Sequence, residues 1–451
     1  MVGSSAAVGG ALAAACAVGG AQQADAPAKR KEPVTLDFQH RWDGPAREPL
    51  VEKQIRKFEG LHDHVKVNIT MNISRGEGTY GGVPVAKLLT AIAAGTPPDV
   101  FMIPSEGAVE FAERNAVTFL DPLLKREKVN MADVWIPSVF PMVQLAGKTF
   151  ALPQDAVGDF PYIFYNKNLI QASGVTPTQF ATWDGLVEAS RTLAKPTGDS
   201  FAQVGFPYPG TDFNAWQTIN GGELLSKDGR KVAFDTPVGR ETLTYMTESV
   251  KKVYGTHQKL TEFIGQFKGT TLQGRSETEA AWNAQKVAVL ASGPWMWVET
   301  ANYSPQLALG AVRMPVNKAN AKSKQTTLAE TVWTWTMGAK LKHTDEAWML
   351  EKWLSYEDGH KDLMIDMGRA TMVKRDLRDK AYFDKNPGWS LVLETIEAAT
   401  PLPQSKGWGV VKPIILAMAA EVLAGTTSVD TVLRQAAIKA QVELDKALTP
   451  A

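Results

Sequence analysis

Two different periodic patterns of apolar and polar positions follow each other near the start of the chain. Residues 34–44, VTLDFQHRWDG, alternate at every second position, which is typical of a strand that runs into a turn. Residues 49–62, PLVEKQIRKFEGLH, instead place Val51, Ile55 and Phe58 at helical spacing. The pattern therefore predicts a strand followed by an amphipathic helix.

The same alternation continues through the next three segments. They read as a strand, a helix and a third strand: VKVNITMNI, PVAKLLTAIAAG and PPDVFMIP. This order predicts a parallel sheet covered on both faces, and ligands of such sheets bind beyond the carboxyl ends of the strands. Those ends carry Arg41, Trp42 and Asp43 after the first strand, and Ser105 and Glu106 after the third. We expect these residues to form one wall of a cleft.

A second α/β unit is predicted from YIFYNKNLI onward. Its strands are KVAVLASGPWMW and LALGAVRMP, and TVWTWTMGA follows as a further strand. The segment DEAWMLEKWLSYEDGHKDLMIDMG reads as one helix, and the last elements read as helical, most clearly VKPIILAMAAEVLAGTTSVDTVLRQAAIKAQVELDKAL. If KVAVLASGPWMW is extended throughout, Trp295 and Trp297 point to the same side.

Composition narrows the function classes. The 451 residues contain 44% hydrophobic and 21% charged side chains, which is typical of a globular chain of two or three domains. Lys plus Arg and Asp plus Glu both number 48, so no overall field attracts nucleic acid. No phosphate-binding loop or other cofactor motif is present. The triplet His62, Asp63, His64 lacks a third ligand partner, so we predict neither a metal nor a cofactor.

Residues 1–26 are predicted to be an export leader. The stretch MVGSSAAVGGALAAACAVGGAQQA carries no charge and is rich in small residues, as in the apolar part and cleavage zone of a signal peptide. It also resembles the weakly hydrophobic half of a twin-arginine signal. Cys16 follows Leu12 and three alanines and resembles a lipid-modified cysteine, whereas ordinary cleavage near Ala21 is the alternative. A leader without an export role is a third possibility.

A series of segments resembles one protein family. They occur in the family's order: AAGTPPDVFMIP, GKTFALPQDAVGDFPYIFYNKNLI, TWDGLVEASRTLA, GGELLSKDGRKVAF, KVAVLASGPWMW, LGAVRMP, GAKLKHTDEAWMLEKWLSYEDGHK and EVLAGTTSVDTVLRQAAIKAQVELDKAL. The chain thereby resembles the extracellular solute-binding proteins of ABC importers, in the group of maltodextrin and glycerol-phosphate binders. The resemblance covers almost everything from about Val34 to Leu448.

The resemblance implies an α/β fold: a two-lobed, periplasmic-binding-protein-like clamp with a hinge between the lobes. The first lobe would comprise residues 27–156 and 317–368, and the second residues 157–316 and 369–451. The chain would cross between lobes near residues 155–159, 314–317 and 368–371. Lobes joined in this way can close over a ligand, and the permease would recognise the closed form.

Position and resemblance together give a set of candidate ligand contacts. Trp295 is the first choice for a platform, because an indole offers a rigid surface to the apolar face of a sugar ring. Trp297 is more readily explained as core. The full set is Trp42, Asp43, Glu106, Asp159, Trp216, Trp295, Glu330, Trp333, Arg369 and Trp408.

These candidates differ in their support. Trp216 and Trp408 match aromatic positions that would stack a second or third sugar unit, and Asp159 matches a family carboxylate. Glu330 and Trp333 lie in a strand returning to the first lobe, where one of Trp333 and Trp335 is expected to pack beneath a helix. Around Arg369 the family often has a proline that this sequence lacks, so its local backbone is the least certain.

The expected function is capture of a di- or oligosaccharide, without catalysis, for delivery to an ABC permease by a monomer. The alternative ligand is a polyol phosphate such as glycerol 3-phosphate, which Arg41, Arg75 and Arg369 could bind through bidentate contacts. A glycoside hydrolase would also line a cleft with tryptophans and acids. It would require two carboxylates at a defined separation, and the sequence identifies no such pair.

Overall fold

The computed structural model describes most of the chain beyond the leader. The described residues are 32–42, 47–72, 79–80, 83–156, 162–208, 213–268, 276–329, 332–402, 405 and 407–449. The leader 1–26 with Cys16 lies outside them, as do four residues singled out from the sequence, namely Asp43, Arg75, Asp159 and Glu330. Within the described helices, none combines the length and the apolar character that a membrane span requires.

Strands are distributed along the whole described chain. They are β1 (Val34–His40), β2 (Val65–Met71), β3 (Thr79–Tyr80), β4 (Val83–Pro84), β5 (Val100–Pro104), β6 (Gln144–Leu145), β7 (Lys148–Thr149), β8 (Leu152–Ala156), β9 (Tyr162–Asn166), β10 (Lys195–Thr197), β11 (Ser200–Gln203), β12 (Val289–Ser292), β13 (Leu309–Arg313), β14 (Thr327–Ala329), β15 (Val332–Met337) and β16 (Ala399–Pro401).

Helices occupy most of the connections. They are α1 (Glu48–Leu61), α2 (Val85–Ala93), α3 (Ser105–Glu113), α4 (Asp121–Arg126), α5 (Met131–Val134), α6 (Phe140–Val143), α7 (Lys167–Ala172), α8 (Trp183–Leu193), α9 (Phe213–Ile219), α10 (Pro237–Tyr254), α11 (His257–Gly265), α12 (Glu277–Asn283), α13 (Met296–Tyr303), α14 (Thr344–Ser355), α15 (Asp358–Met367), α16 (Lys380–Lys385), α17 (Trp389–Glu397), α18 (Trp408–Leu423) and α19 (Val429–Leu448). Short 3-10 turns lie at Pro137–Val139 and Pro177–Ala181.

The first sheet has the strand order β2-β1-β5-β15-β8. Strand β1 pairs in parallel with β2 and β5, which confirms the predicted strand and helix alternation at the start of the chain. Strand β15 returns from far along the chain and pairs antiparallel with β5 and β8. All residues of β5 and β15 are buried, so the middle of this sheet is covered on both faces.

The second sheet has the order β12-β9-β13, with both outer strands antiparallel to β9. Strand β9 is buried along its whole length. Strands β1, β2, β5 and β8 therefore share a sheet with β15, whereas β9, β12 and β13 form another, and β3 with β4 and β6 with β7 form separate hairpins. A short parallel ladder joins β14 to β16.

Two local predictions were wrong. The segment read as one helix is split into α14 and α15, because the chain turns at Tyr356 and Glu357 so that α15 packs on α1. The segment read as extended through Trp297 leaves the strand after Ser292, and a helical turn begins at Trp295. The Gly293-Pro294 pair ends the strand, since proline cannot donate to a ladder.

Candidate functional site

Trp42 follows β1 at the edge of the first sheet, as predicted, but its ring is packed inward. It is 1% exposed, and its ring meets Trp335 edge-on at a centroid distance of 5.7 Å. Trp335 is itself buried and donates from Nε1 to the carbonyl oxygen of Leu354 at the end of α14. The expectation that one tryptophan of β15 packs beneath a helix is thus confirmed for Trp335. In this structure Trp42 offers no open ring face.

Trp333 lies at the junction of three strands. In the ladders it is opposite Pro104 of β5 and Asp155 of β8. The ring is 2% exposed, and the guanidinium carbon of Arg41 lies 4.6 Å from its centroid. A guanidinium at this distance over an indole is a cation–π contact. Trp333 and Arg41, both singled out from the sequence, are therefore direct neighbours.

Arg369 links Asp155 to Trp295. Its Nη1 lies 3.5 Å from Oδ2 of Asp155, and its guanidinium carbon lies 4.6 Å from the centroid of the Trp295 ring. Arg369 is 5% exposed and Asp155 is fully buried. Burial raises the pKa of Asp155 to about 6, although Arg369 and then Arg41 oppose the shift. Burial likewise lowers the pKa of Arg369, with Asp155 opposing.

The backbone around Arg369 is fixed without the family's proline. Helix α15 ends at Gly368, whose φ of 64° is the left-handed conformation that glycine adopts without strain. His360 of the same helix donates from Nδ1 to the carbonyl oxygen of Leu354, and its Nε2 accepts from the Thr371 hydroxyl. Burial lowers the pKa of His360 to about 3, so the ring is neutral and can accept. These contacts hold the segment that presents Arg369.

Trp295 lies where β12 passes into α13. It is half-buried, and the next residue, Met296, is buried beneath it in the core. A Cβ atom at Gly293 would come within 2.0 Å of the Trp295 ring, so only glycine lets the ring lie this close to the backbone. Trp297 instead meets Phe164 and Tyr162 edge-on, at 4.8 and 5.7 Å. Trp297 is thus part of the packing, in line with expectation.

An ion pair connects helix α1, which follows a strand of the first sheet, to helix α13, which follows a strand of the second sheet. Arg47, immediately before α1, pairs with Glu299 in the first turn of α13. Both side chains are largely buried. The helix that follows Trp295 is thereby attached to the helix that follows β1.

A cavity of about 260 Å³ lies beside the start of α3. It contains two of the predicted residues, Glu106 in the first turn of α3 and Trp408 at the start of α18. Lys412, one turn beyond Trp408, places Nζ 3.4 Å from Oε1 of Glu106. Ser105, named from the sequence together with Glu106, also lines it, whereas sequence reasoning missed Val109, Met142, Asp228 and Arg230.

Trp216 is placed elsewhere. It lies in α9 with no exposed surface, among Trp183, Phe206 and Tyr245 at centroid distances of 6.0, 6.1 and 5.4 Å. These rings form a core cluster, so in this structure Trp216 has no face for a sugar. The described candidates thus divide into an aromatic and charged cluster around Arg369, a cavity with Glu106 and Trp408, and two core residues, Trp42 and Trp216.

The architecture matches two-lobed periplasmic binding proteins. A substrate-binding protein from Listeria monocytogenes in complex with cycloalternan aligns with a TM-score of 0.75 at 17% identity, over 92% of this chain and 100% of that chain. A solute-binding protein from Thermotoga lettingae bound with α-D-tagatose aligns with a TM-score of 0.74 at 21% identity, over 91% and 99%. The fold is therefore the two-lobed α/β clamp that the sequence predicted.

The sequence comparisons identify the family. Residues 43–360 match the model of the bacterial extracellular solute-binding proteins. A binding protein of Brucella abortus is 24% identical over 406 residues, which cover 88% of this chain and 90% of that protein. The chain belongs to the bacterial extracellular solute-binding protein family.

Proposed function

We propose that this protein is the solute-binding component of an ABC importer and captures a neutral di- or oligosaccharide between its lobes. The observation that carries the proposal is the half-buried Trp295 at the edge of the second sheet, with Trp333 and Arg41 close to Arg369 and Asp155. An indole that keeps part of its surface open matches the apolar face of a sugar ring, and a buried carboxylate accepts sugar hydroxyls. The proteins of similar fold include ones whose structures contain bound cycloalternan, mannotriose or maltose.

The arginines favour a neutral solute over a polyol phosphate. Arg369 faces Asp155 and lies over Trp295, while Arg41 lies over Trp333. Arg75, the third arginine of the phosphate alternative, is outside the described residues. A guanidinium already balanced by a carboxylate is a weaker phosphate ligand than an unbalanced one.

The cavity with Glu106 and Trp408 extends the proposed site. The Trp408 indole and the Glu106 carboxylate suit a further sugar unit, as predicted from the sequence. We assign both Glu106 and Asp155 to the binding of sugar hydroxyls. Glu106 lies beside Lys412 and Asp155 beside Arg369. The proposal therefore contains no catalytic step.

The lobe bounds, the export leader and the monomeric state are proposed as the sequence analysis predicts them. The first lobe comprises residues 27–156 and 317–368 and the second residues 157–316 and 369–451. The two larger sheets follow this division, whereas the ladder of β14 and β16 pairs a strand of the first lobe with one of the second. Residues 1–26 direct export, by cleavage near Ala21 or by lipid attachment at Cys16. The mature protein acts as a monomer that docks on the membrane permease when closed.

A thermal-shift screen of the mature protein tests this function. The panel contains neutral mono-, di- and trisaccharides and polyol phosphates, and each ligand is recovered and checked for cleavage. A ligand that binds only the native state raises the melting temperature with the logarithm of its concentration over Kd. We expect a shift with an uncleaved oligosaccharide. A shift with polyol phosphates alone, or cleavage of the sugar, would overturn the proposal.

A further inference from the structure

Asp155 has hydrogen-bonding capacity that its described surroundings do not use. The side chain is fully buried near the end of β8, and neither carboxylate oxygen makes a hydrogen bond to another described residue, although the backbone amide of Asp155 itself lies close enough to act on the carboxylate. Its ionic contact is with Arg369, at 3.5 Å. A carboxylate can accept about four hydrogen bonds, and buried polar atoms in native proteins are nearly always satisfied by protein, water or ligand. The Asp155 carboxylate thus retains capacity to accept hydrogen bonds from hydroxyl groups.

Asp155 also lies beside the proposed platform. It is opposite Trp333 in the ladder of β15 and β8, and Arg369 connects it to the ring of Trp295. A solute that lay on Trp295 would meet Arg369 and Asp155 next. Asp155 is therefore placed to accept hydrogen bonds from the hydroxyl groups at the edge of a sugar ring whose apolar face stacks on Trp295.

The charges around Asp155 balance. Arg369 and Arg41 act on its carboxylate. Arg369 in turn is influenced by Asp155, Arg47, Glu299 and Glu279. Two ion pairs, Arg369 with Asp155 and Arg47 with Glu299, are thus joined by the charges of Arg41 and Glu279, which act on Asp155 and Arg369. If Asp155 lost its charge, the net charge of these groups would become +1. The buried guanidinium of Arg369 would also lose its carboxylate partner.

We propose that Asp155 is a specificity-determining residue that accepts the hydroxyls of a neutral sugar and keeps anionic sugars out of the cleft by balancing Arg369. This inference rests on the proposed function, since it specifies which carbohydrates the site takes. An anionic sugar placed against Asp155 would bring two negative charges together in a buried site, which is costly. A neutral sugar gains charge-assisted hydrogen bonds from the same carboxylate.

The Asp155→Asn variant tests the inference, because it keeps the shape of the side chain and removes its charge. We expect its Kd for the neutral oligosaccharide found in the screen to rise at least about tenfold, the usual scale of a hydrogen bond to a charged group. We expect its Kd for a uronic-acid counterpart of the same length to fall. Asp366→Asn is the control, because it removes the charge of an acid that pairs with Lys53 and Lys385 rather than with Arg369.

The possible outcomes distinguish a failure of this inference from a failure of the proposed function. Absence of any sugar binding by the wild type would overturn the proposed function. If the wild type binds a neutral sugar and Asp155→Asn binds it equally well, or shows no gain for the uronic-acid sugar, the inference is wrong and the function stands. Calorimetry measures each Kd, and thermal melting of the empty variants confirms that they fold.

The wild-type pH profile provides a test that does not depend on a variant. Burial raises the pKa of Asp155 to about 6, so its carboxylate takes up a proton as the pH falls below this value. Guanidinium groups stay charged in this range, and burial raises the pKa of the neighbouring Tyr382 phenol, so it stays neutral. Since only the ionised acid is competent, the Kd for the neutral sugar should rise about tenfold from pH 7.5 to pH 5. A flat profile would contradict the inference.

Discussion

Trp295 and Trp216 were both predicted to stack a sugar, and the structure places them in opposite environments. Trp216 sits within helix α9, has no exposed surface and touches rings on several sides. Trp295 sits at a junction between strand and helix, remains half-buried, and has a guanidinium over its ring. The same side chain is core in one region and a proposed ligand platform in the other.

The difference follows from where each residue lies on its element. A residue just past the carboxyl end of a strand reaches the edge of the sheet, where α/β folds bind ligands. Trp216 lies in the short helix FNAWQTI, nearly all of which is buried, and such a helix cannot present a ring to solvent. Position relative to a strand end thus separates Trp295 from Trp216, but it does not suffice, because Trp42 also follows a strand and is buried.

The largest expected effect is on stability at Trp216. Trp216→Ala should lower the free energy of unfolding by about 3–5 kcal/mol, because it leaves a cavity among Trp183, Phe206 and Tyr245. The midpoint of urea unfolding measures this loss. Sugar affinity of the folded variant should be nearly unchanged, and a selective loss of affinity at normal stability would place Trp216 in the site after all.

Trp295→Ala should give the converse result. Removal of a central aromatic contact costs roughly 2 kcal/mol of binding, or about a thirtyfold rise in Kd. The melting temperature of the empty protein should change little, because the ring is only half-buried. Calorimetric titration with the neutral oligosaccharide checks the affinity, and Trp295→Phe, which keeps an aromatic face, should recover part of it. Marked destabilisation of the empty variant would show that Trp295 is core.

The smallest effect is expected at Glu106. Glu106→Gln keeps the shape of the side chain in the cavity that Trp408 also lines. Loss of its charge should weaken binding of a trisaccharide about fivefold, the scale of one hydrogen bond of about 1 kcal/mol. A disaccharide that does not reach the cavity should be unaffected. Equal losses for both sugars would show that Glu106 contacts the first unit instead.

Much of the fold could be predicted from local patterns. Alternation in β1 and helical spacing in α1 are set by burial of one face, so they are visible in the sequence. The break between α14 and α15 was missed, because it depends on packing of α15 against α1 rather than on a proline or a glycine between them. The strand through Gly293 and Pro294 was extended too far, although those residues signal its end.

The positions of the candidate residues in the fold were predicted in part. Trp295 and Glu106 follow strand ends, which the sequence reveals, and both lie at the sheet edges. The contact of Arg369 with Asp155 joins residues far apart in the chain, so no local pattern encodes it. The αL glycine at Gly368 was the available signal that α15 ends and presents the next side chain. Asp155 was named only as the start of a crossing, since a single acid after a strand resembles any turn residue.

The most direct test of the account is a crystal structure of the protein with the neutral oligosaccharide that gives the largest thermal shift. The account predicts a sugar ring lying flat on Trp295, with ring carbons about 3.5–4.0 Å from the indole. A sugar bound between the lobes without contact to Trp295, or bound on the outer surface of either lobe, would contradict it.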